Sequence, residues 1–175
     1  MKIMLTGDSI TSGFKTKELL PGFDVVNAGI YGDNSPGLLN RLGNDLKFHN
    51  PDYLFILIGT NDFALGRSIP EIVDTIREII IKAKDFVPEK NIYITPLLPT
   101  KNVENRPNSS IRELNRLIEA LARDQKINCF HLHARFTNDN GDLKQEFTDD
   151  GLHLTPAAYS LWAALLSEKI STFNK

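Results

Sequence analysis

The chain is poor in cysteine. Cys129 stands alone among 175 residues, which excludes an intramolecular disulfide and fits a reducing compartment. A thiol nucleophile at this position competes with a plainer reading: Cys129 sits in the apolar run Ile127–Leu132, where a thiol is inert core. Long hydrophobic stretches are also missing. No apolar run reaches the roughly 20 residues needed to span a bilayer, and no signal peptide is evident before the first strand-like segment. Charge of one sign is not in excess either, since 20 Lys and Arg against 22 Asp and Glu leave a formal net charge of −2. Acids and bases are interleaved, which argues against nucleic acid as a partner and against polybasic attachment or stable insertion at a membrane. A cytoplasmic location is the expectation, although a trimmed leader would leave the same sequence. Without secretion the Asn108-Ser109-Ser110 sequon carries no weight.

What remains is the composition of an ordinary globule, 41% hydrophobic and 24% charged. Taken as one domain over 1–175, such a chain buries roughly 70% of its unfolded surface. Strand-like runs occur at Lys2–Thr6, Asp24–Asn27, Tyr53–Ile58, Asn91–Thr95 and Ile127–Leu132. Most are continuous Val, Ile, Leu, Phe and Tyr without polar alternation, as in parallel strands covered on both faces. Amphipathic stretches lie between them. Ser35–Lys47 carries Leu38, Leu39, Leu42 and Leu46 at helical spacing, ended by His49-Asn50-Pro51. Ser68-Ile69-Pro70-Glu71 has capping-box spacing and opens a helix to about Phe86. Ser110-Ile111-Arg112-Glu113 repeats that pattern for a helix to about Asp124. Thr155-Pro156 reads as an N-cap followed by proline at the first helical position, with Ala158, Leu161, Trp162, Leu165, Leu166 and Ile170 as its apolar stripe. Strand–helix alternation of this kind predicts a doubly wound parallel sheet with right-handed crossovers. Two long irregular stretches, Pro96–Asn108 and His133–Leu154, follow strands and so belong to the rim where ligands bind.

Four segments on that predicted rim are built of small and polar residues. Gly7-Asp8-Ser9 places a hydroxyl just past the first strand; alone, it reads at least as well as a helix cap. The loop from Asn27 to Ser35 holds Gly29 and Gly32, which suit a turn or allow a backbone N–H close to a ligand oxygen. Gly59-Thr60-Asn61-Asp62 follows the most hydrophobic strand and presents either an Asx-turn or an amide N–H₂ aimed into a site. Asp150-Gly151-Leu152-His153 puts a carboxylate three residues before an imidazole. That spacing lets Asp150 hold Nδ1–H and leaves Nε2 as a base, which an unactivated serine needs. Together they supply a nucleophile, two kinds of oxyanion donor and an oriented base.

In the order and spacing of these four blocks, the chain resembles the SGNH (GDSL-type) hydrolase family, from residue 3 to the helix after Pro156. The resemblance implies a single-domain three-layer α/β/α sandwich with a flavodoxin-like five-stranded parallel sheet, and an ester-cleaving serine hydrolase without cofactor or metal. It implies Ser9 as nucleophile, His153 as general base and Asp150 as its orienting carboxylate. The oxyanion hole would comprise the N–H groups of Ser9 and Gly32 and the amide of Asn61. Ile10 departs from the leucine of the family's name at an apolar packing position. Gly-x-Ser-x-Gly is absent, against an α/β-hydrolase elbow.

Other polar residues have plainer readings. His49 reads as a loop residue. His131 and His133 lack the further ligands a metal pair requires, and Asp8 and Asp62 read as turn residues beside the site. A flavodoxin-like flavin- or nucleotide-binding module is the rival from another class, but neither Gly-x-Gly-x-x-Gly nor a Gly-x-x-x-x-Gly-Lys loop is present. Four intact blocks also weigh against a catalytically dead scaffold. The family admits acetylated sugars, short aliphatic or aryl esters, lysophospholipids and thioesters. Compactness favours small soluble esters, with Pro96–Asn108 shaping the acyl or alcohol pocket. Oligomeric state is not legible.

Overall fold

The five apolar runs pair side by side in the computed structural model, which describes residues 1–173. Strands β1 (Lys2–Gly7), β2 (Asp24–Gly29), β3 (Tyr53–Leu57), β4 (Ile92–Ile94) and β5 (Asn128–Cys129) form one parallel sheet in the order β2-β1-β3-β4-β5. Ile3, Met4, Leu54, Ile56, Ile92 and Ile94 are wholly buried. A strand covered on both faces has no solvent side to mark with polar residues, which is why alternation is missing.

Among the described residues eight α-helices accompany the sheet: α1 (Ser9–Ser12), α2 (Thr16–Leu19), α3 (Ser35–His49), α4 (Thr60–Ala64), α5 (Ile69–Lys84), α6 (Asn108–Asp124), α7 (His133–Phe136) and α8 (Pro156–Ile170). Helices α3, α5 and α6 pack in sequence on one face, while α2 and α8 meet each other. Right-handed crossovers put these two groups on opposite faces of the sheet. The result is the expected α/β/α sandwich. Each long helix turns its apolar stripe inward: Leu38, Leu42 and Leu46 from α3, Ile72, Ile76, Ile79 and Ile80 from α5, and Trp162, Leu166 and Ile170 from α8.

Several boundaries differ from the sequence expectation. Strand β2 continues to Gly29 because Ala28 and Gly29 pair with Thr6 and Gly7. Strand β5 is shorter than Ile127–Leu132: after Phe130 N–H donates to Ile94 O at 2.9 Å, the chain turns into α7. His49 is the last residue of α3 rather than a loop residue, and Asn50 ends the helix in the left-handed conformation at φ 45°. The capping box before α5 forms through Glu71 Oε2, which accepts from the Ser68 N–H at 2.7 Å and from its hydroxyl at 2.6 Å. The second predicted box does not. Helix α6 starts at Asn108, two residues before Ser110, with Pro107 at the cap position. Asn108 holds the incoming chain instead: its amide accepts from Thr100 N and donates to Thr100 O, both at 2.8 Å. No helix of the described residues is long and apolar enough to cross a membrane.

Candidate active site

Sheet register brings three of the four polar blocks to one level. Gly7 pairs with Gly29 on one side and Leu57 on the other, so the chain leaves the sheet together at Asp8, Ile30 and Ile58. Ser9, Gly32 and Asn61 follow within a few residues. The fourth block arrives with α8. Phe14, just past α1, packs edge-on against Trp162 and Tyr159, with ring centroids 5.0 and 6.0 Å away. The Tyr159 hydroxyl donates to Ile10 O at 2.8 Å. Thr155 caps α8 as expected, and the turn before it carries His153 over the start of α1.

Ser9 Oγ lies 3.0 Å from His153 Nε2, and His153 Nδ1 lies 2.6 Å from Asp150 Oδ2. An ionised carboxylate only accepts, so the Nδ1 proton points at Asp150 and Nε2 is left as acceptor for the serine hydroxyl. Asp150 Oδ1 accepts from the N–H groups of Leu152 and His153 at 2.9 and 2.7 Å. Partial burial pushes the Asp150 carboxyl up, but the His153 hydrogen bond and these two amides outweigh it and hold the pKa at about 2. Gly151 makes the turn possible. Its φ is +86°, and a Cβ there would stand 2.0 Å from Lys101 O.

Ser9 is not the helix cap. Asp8 takes that position, its Oδ1 accepting from Ile10 N at 2.9 Å. The serine side chain is thereby free to face His153, and its own N–H donates to no protein acceptor among the described residues. Asp8 is buried, and desolvation, with Asp33 and Asp62 adding to it, pushes its carboxyl up to about 7 against the pull of the Ile10 N–H and His153.

Gly32 sits at φ +77°, a conformation that strains any L side chain. A Cβ here would meet open space, so it is backbone conformation, rather than crowding within the protein, that requires glycine. Asn61 Nδ2 donates to Asp33 O at 2.8 Å, and Asn61 Oδ1 accepts from Arg106 Nη2 at 3.0 Å. Arg41 ties two of the blocks from beneath: Nη2 donates to Gly7 O at 3.1 Å, Nη1 to Ala28 O at 2.8 Å and Nε to Asp33 Oδ2 at 2.8 Å. Asp62, fully buried, accepts from the Ser35 N–H and hydroxyl at 3.0 and 2.7 Å and from Arg67 at 3.2 Å.

The structure therefore brings together Ser9, His153 and Asp150, with Gly32 and Asn61 at the same sheet edge. Arg41, Arg106 and the aromatic Tyr31 were not singled out from sequence. Isolated arginines in a helix and a loop carry no local signal, and their partners become visible only in three dimensions. The other candidates stay outside. His133 braces a loop through Nδ1 and Leu97 O at 2.7 Å, and His131 faces Glu119 at 3.6 Å. Burial pushes the Cys129 thiol up to about 11, far from a reactive thiolate. No metal-holding cluster of His, Cys, Asp or Glu occurs among the described residues.

Known proteins share this arrangement of chain. Residues 5–161 match the GDSL-like lipase/acylhydrolase family. The isoamyl acetate-hydrolyzing esterase of Saccharomyces cerevisiae is 25% identical over 98% of this chain and 87% of its own length. An arylesterase of Vibrio mimicus is 26% identical over 97% of this chain and 88% of its own. Among solved structures, a GDSL-like lipase from Bacteroides thetaiotaomicron superposes with a TM-score of 0.85 at 25% identity, covering 98% of this chain and 88% of the other. The chain belongs to the GDSL-like lipase/acylhydrolase family of ester hydrolases.

Proposed function

We propose that the protein cleaves small carboxylic esters, short-chain acyl esters and O-acetyl groups on carbohydrates among them, through an acyl-enzyme on Ser9. The observation that carries this reading is the continuous hydrogen-bonded chain from Ser9 Oγ to His153 at 3.0 Å and from His153 to Asp150 at 2.6 Å. His153 Nε2 takes the hydroxyl proton as Oγ bonds to the ester carbonyl carbon. The carbonyl π-electrons move to oxygen, and this oxyanion meets the N–H groups of Ser9 and Gly32 and the Asn61 amide. Collapse breaks the C–O bond, and the departing alkoxide takes the proton from His153. Water then attacks the acyl-serine with His153 as base again, releasing the carboxylic acid and restoring the serine. Asp150 keeps the imidazole in the required tautomer throughout.

The preference for small substrates rests on the apolar surface near the oxyanion donors. Beside Gly32, the apolar side chains of Ile30 and Tyr31 are 49% and 76% exposed and offer contact to a short alkyl or ring substituent. The yeast relative's name, an isoamyl acetate-hydrolyzing esterase, points the same way. The test is a p-nitrophenyl ester series from acetate to palmitate, with acetylated xylan, on wild type and Ser9→Ala. The expected profile peaks at short acyl chains and vanishes in Ser9→Ala. Equal hydrolysis by the two proteins would overturn the nucleophile. A maximum at long chains would favour a lysophospholipase- or thioesterase-type acylhydrolase instead.

A further inference from the structure

We propose that Arg106 is a positioning residue that holds the Asn61 side-chain amide in the one orientation able to donate to the oxyanion. The inference rests on the ester-hydrolase reading above and concerns how one of its donors is built.

A primary amide has two N–H donors on one end and a carbonyl acceptor on the other, and a half-turn about its last bond exchanges them. An oxyanion donor with that freedom would present its oxygen to a developing negative charge whenever it flipped. Two partners of opposite character remove the freedom here. Arg106 Nη2, which can only donate, lies 3.0 Å from Asn61 Oδ1. Asp33 O, which can only accept, lies 2.8 Å from Asn61 Nδ2. Exchanging the amide ends would set N–H₂ against a guanidinium and oxygen against a carbonyl, losing both bonds for two repulsions. With one Nδ2 hydrogen given to Asp33, a single hydrogen is left for substrate. Placing a permanent cation on Oδ1 also polarises the amide and strengthens that remaining donor.

Arg106 is itself committed inward. Its Nε donates to Thr60 O at 3.1 Å and its Nη1 to Asn105 Oδ1 at 3.0 Å, so all three guanidinium nitrogens have protein acceptors. Such a group is a brace rather than a receptor for an acidic substrate. Its backbone is pinned by the Thr100 hydroxyl, which donates to Arg106 O at 2.8 Å, and by its own N–H to Val103 O at 3.0 Å. In the same segment, Lys101 N–H donates to Gly151 O at 2.8 Å. The stretch expected from sequence to shape a substrate pocket thus touches the third polar block through Arg106 and the fourth through Lys101.

The experiment is a double-mutant cycle on p-nitrophenyl acetate, with Arg106→Met and Arg106→Lys each made in wild type and in Asn61→Ala. Thermal unfolding and stoichiometric labelling of Ser9 by a fluorophosphonate report whether each protein is folded. Arg106→Met is expected to lower kcat about 10- to 100-fold, less than the whole loss of an oxyanion donor, with KM changed by less than about threefold. Arg106→Lys, which keeps one charged donor, recovers part of that loss. In the Asn61→Ala background, Arg106→Met is expected to cost less than about threefold, because its target is gone. The same loss in both backgrounds, a loss confined to KM, or no loss would each overturn the proposal. If Arg106→Met does not fold, Arg106→Lys in the two backgrounds gives the same comparison. Activity that persists unchanged in Ser9→Ala would sink the ester-hydrolase reading instead, whatever Arg106 does.

Discussion

The ring of Tyr31 stacks on the imidazole of His153, with centroids 5.9 Å apart and planes 9° from parallel. In the proposed reaction His153 accepts the Ser9 proton and becomes a cation facing an aromatic π-cloud. At a site as exposed as this one, such a contact stabilises the cation by about 0.5–1 kcal/mol. Tyr31→Ala is therefore expected to lower kcat about two- to fivefold, and Tyr31→Phe to leave it within about twofold. Tyr31→Leu keeps apolar bulk without the ring face. Full kcat in that variant would show that shielding alone matters.

Asp8 makes stability fall as pH rises. Its folded pKa of about 7 stands above the ordinary 3.8, so between these values the folded chain holds a proton that the unfolded chain has released. The favourable contribution is complete below about pH 4 and is lost as pH climbs through 7. At about 1.4 kcal/mol per tenfold change in proton affinity, the loss is on the order of 4 kcal/mol. Asp8→Asn keeps an oxygen for the Ile10 N–H and has no charge to bury. Urea unfolding at pH 5 and pH 8 should show a flatter profile in Asp8→Asn than in wild type. Parallel profiles would mean that another group carries the dependence.

The catalytic candidates should rank by what they do. Ser9→Ala and His153→Ala each remove a group that, in the proposed mechanism, exchanges a bond or a proton, and each should lower kcat on the order of 10⁶-fold. Asp150→Asn leaves the geometry but favours the wrong imidazole tautomer, for a loss on the order of 10⁴-fold. Because the Asp150 carboxyl stays ionised down to a pH of about 2, the acidic limb of kcat/KM at higher pH belongs to another group. That limb should persist in the residual activity of Asp150→Asn. Its disappearance would assign the limb to Asp150.

How far the sequence could be read follows from the range of the interactions. Strands β1 and β3 are continuous apolar runs, and their pattern is local. Ser9 and the Asp150–His153 turn are also local, each defined within four residues. Arg41 and Arg106 differ: they reach Gly7 and Asn61 across 34 and 45 residues of sequence, and nothing beside them marks a partner. The Ser110–Glu113 spacing misled for a related reason. A cap that fits locally lost to Asn108, which fastens the chain to Thr100 eight residues back. The Gly7-Asp8-Ser9 turn alone leaves Ser9 between cap and nucleophile; the distant Asp150–His153 spacing favours the nucleophile, and the structure gives the cap to Asp8.

Two glycines separate stability from activity. Gly151→Ala combines φ +86° with a Cβ 2.0 Å from the backbone oxygen of Lys101, and should cost about 2–4 kcal/mol while tilting the Asp150–His153 turn. Gly32→Ala meets no neighbouring atom, so only the strain of φ +77° remains, about 1–2 kcal/mol. Its effect falls instead on the direction of the Gly32 N–H, and kcat should drop more than about tenfold. Chemical denaturation beside steady-state kinetics checks both. Unchanged kcat in a folded Gly32→Ala would remove this N–H from the oxyanion hole.

Arg41 is expected to matter for stability first and catalysis second. Its side chain is 17% exposed and that of its partner Asp33 only 8%, so removing the guanidinium strands a mostly buried carboxylate and frees the carbonyls of Gly7 and Ala28. Breaking one side of such a pair costs about 3–5 kcal/mol. The loop it loosens includes Asp33 O, the acceptor for Asn61 Nδ2, so activity should fall with stability in Arg41→Met. Most of the stability cost comes from the stranded charge rather than from lost packing. Arg41→Met combined with Asp33→Asn should therefore unfold at higher urea than Arg41→Met alone. Additive losses in the double variant would show that the guanidinium acts through the two carbonyls and Asp45 rather than through Asp33.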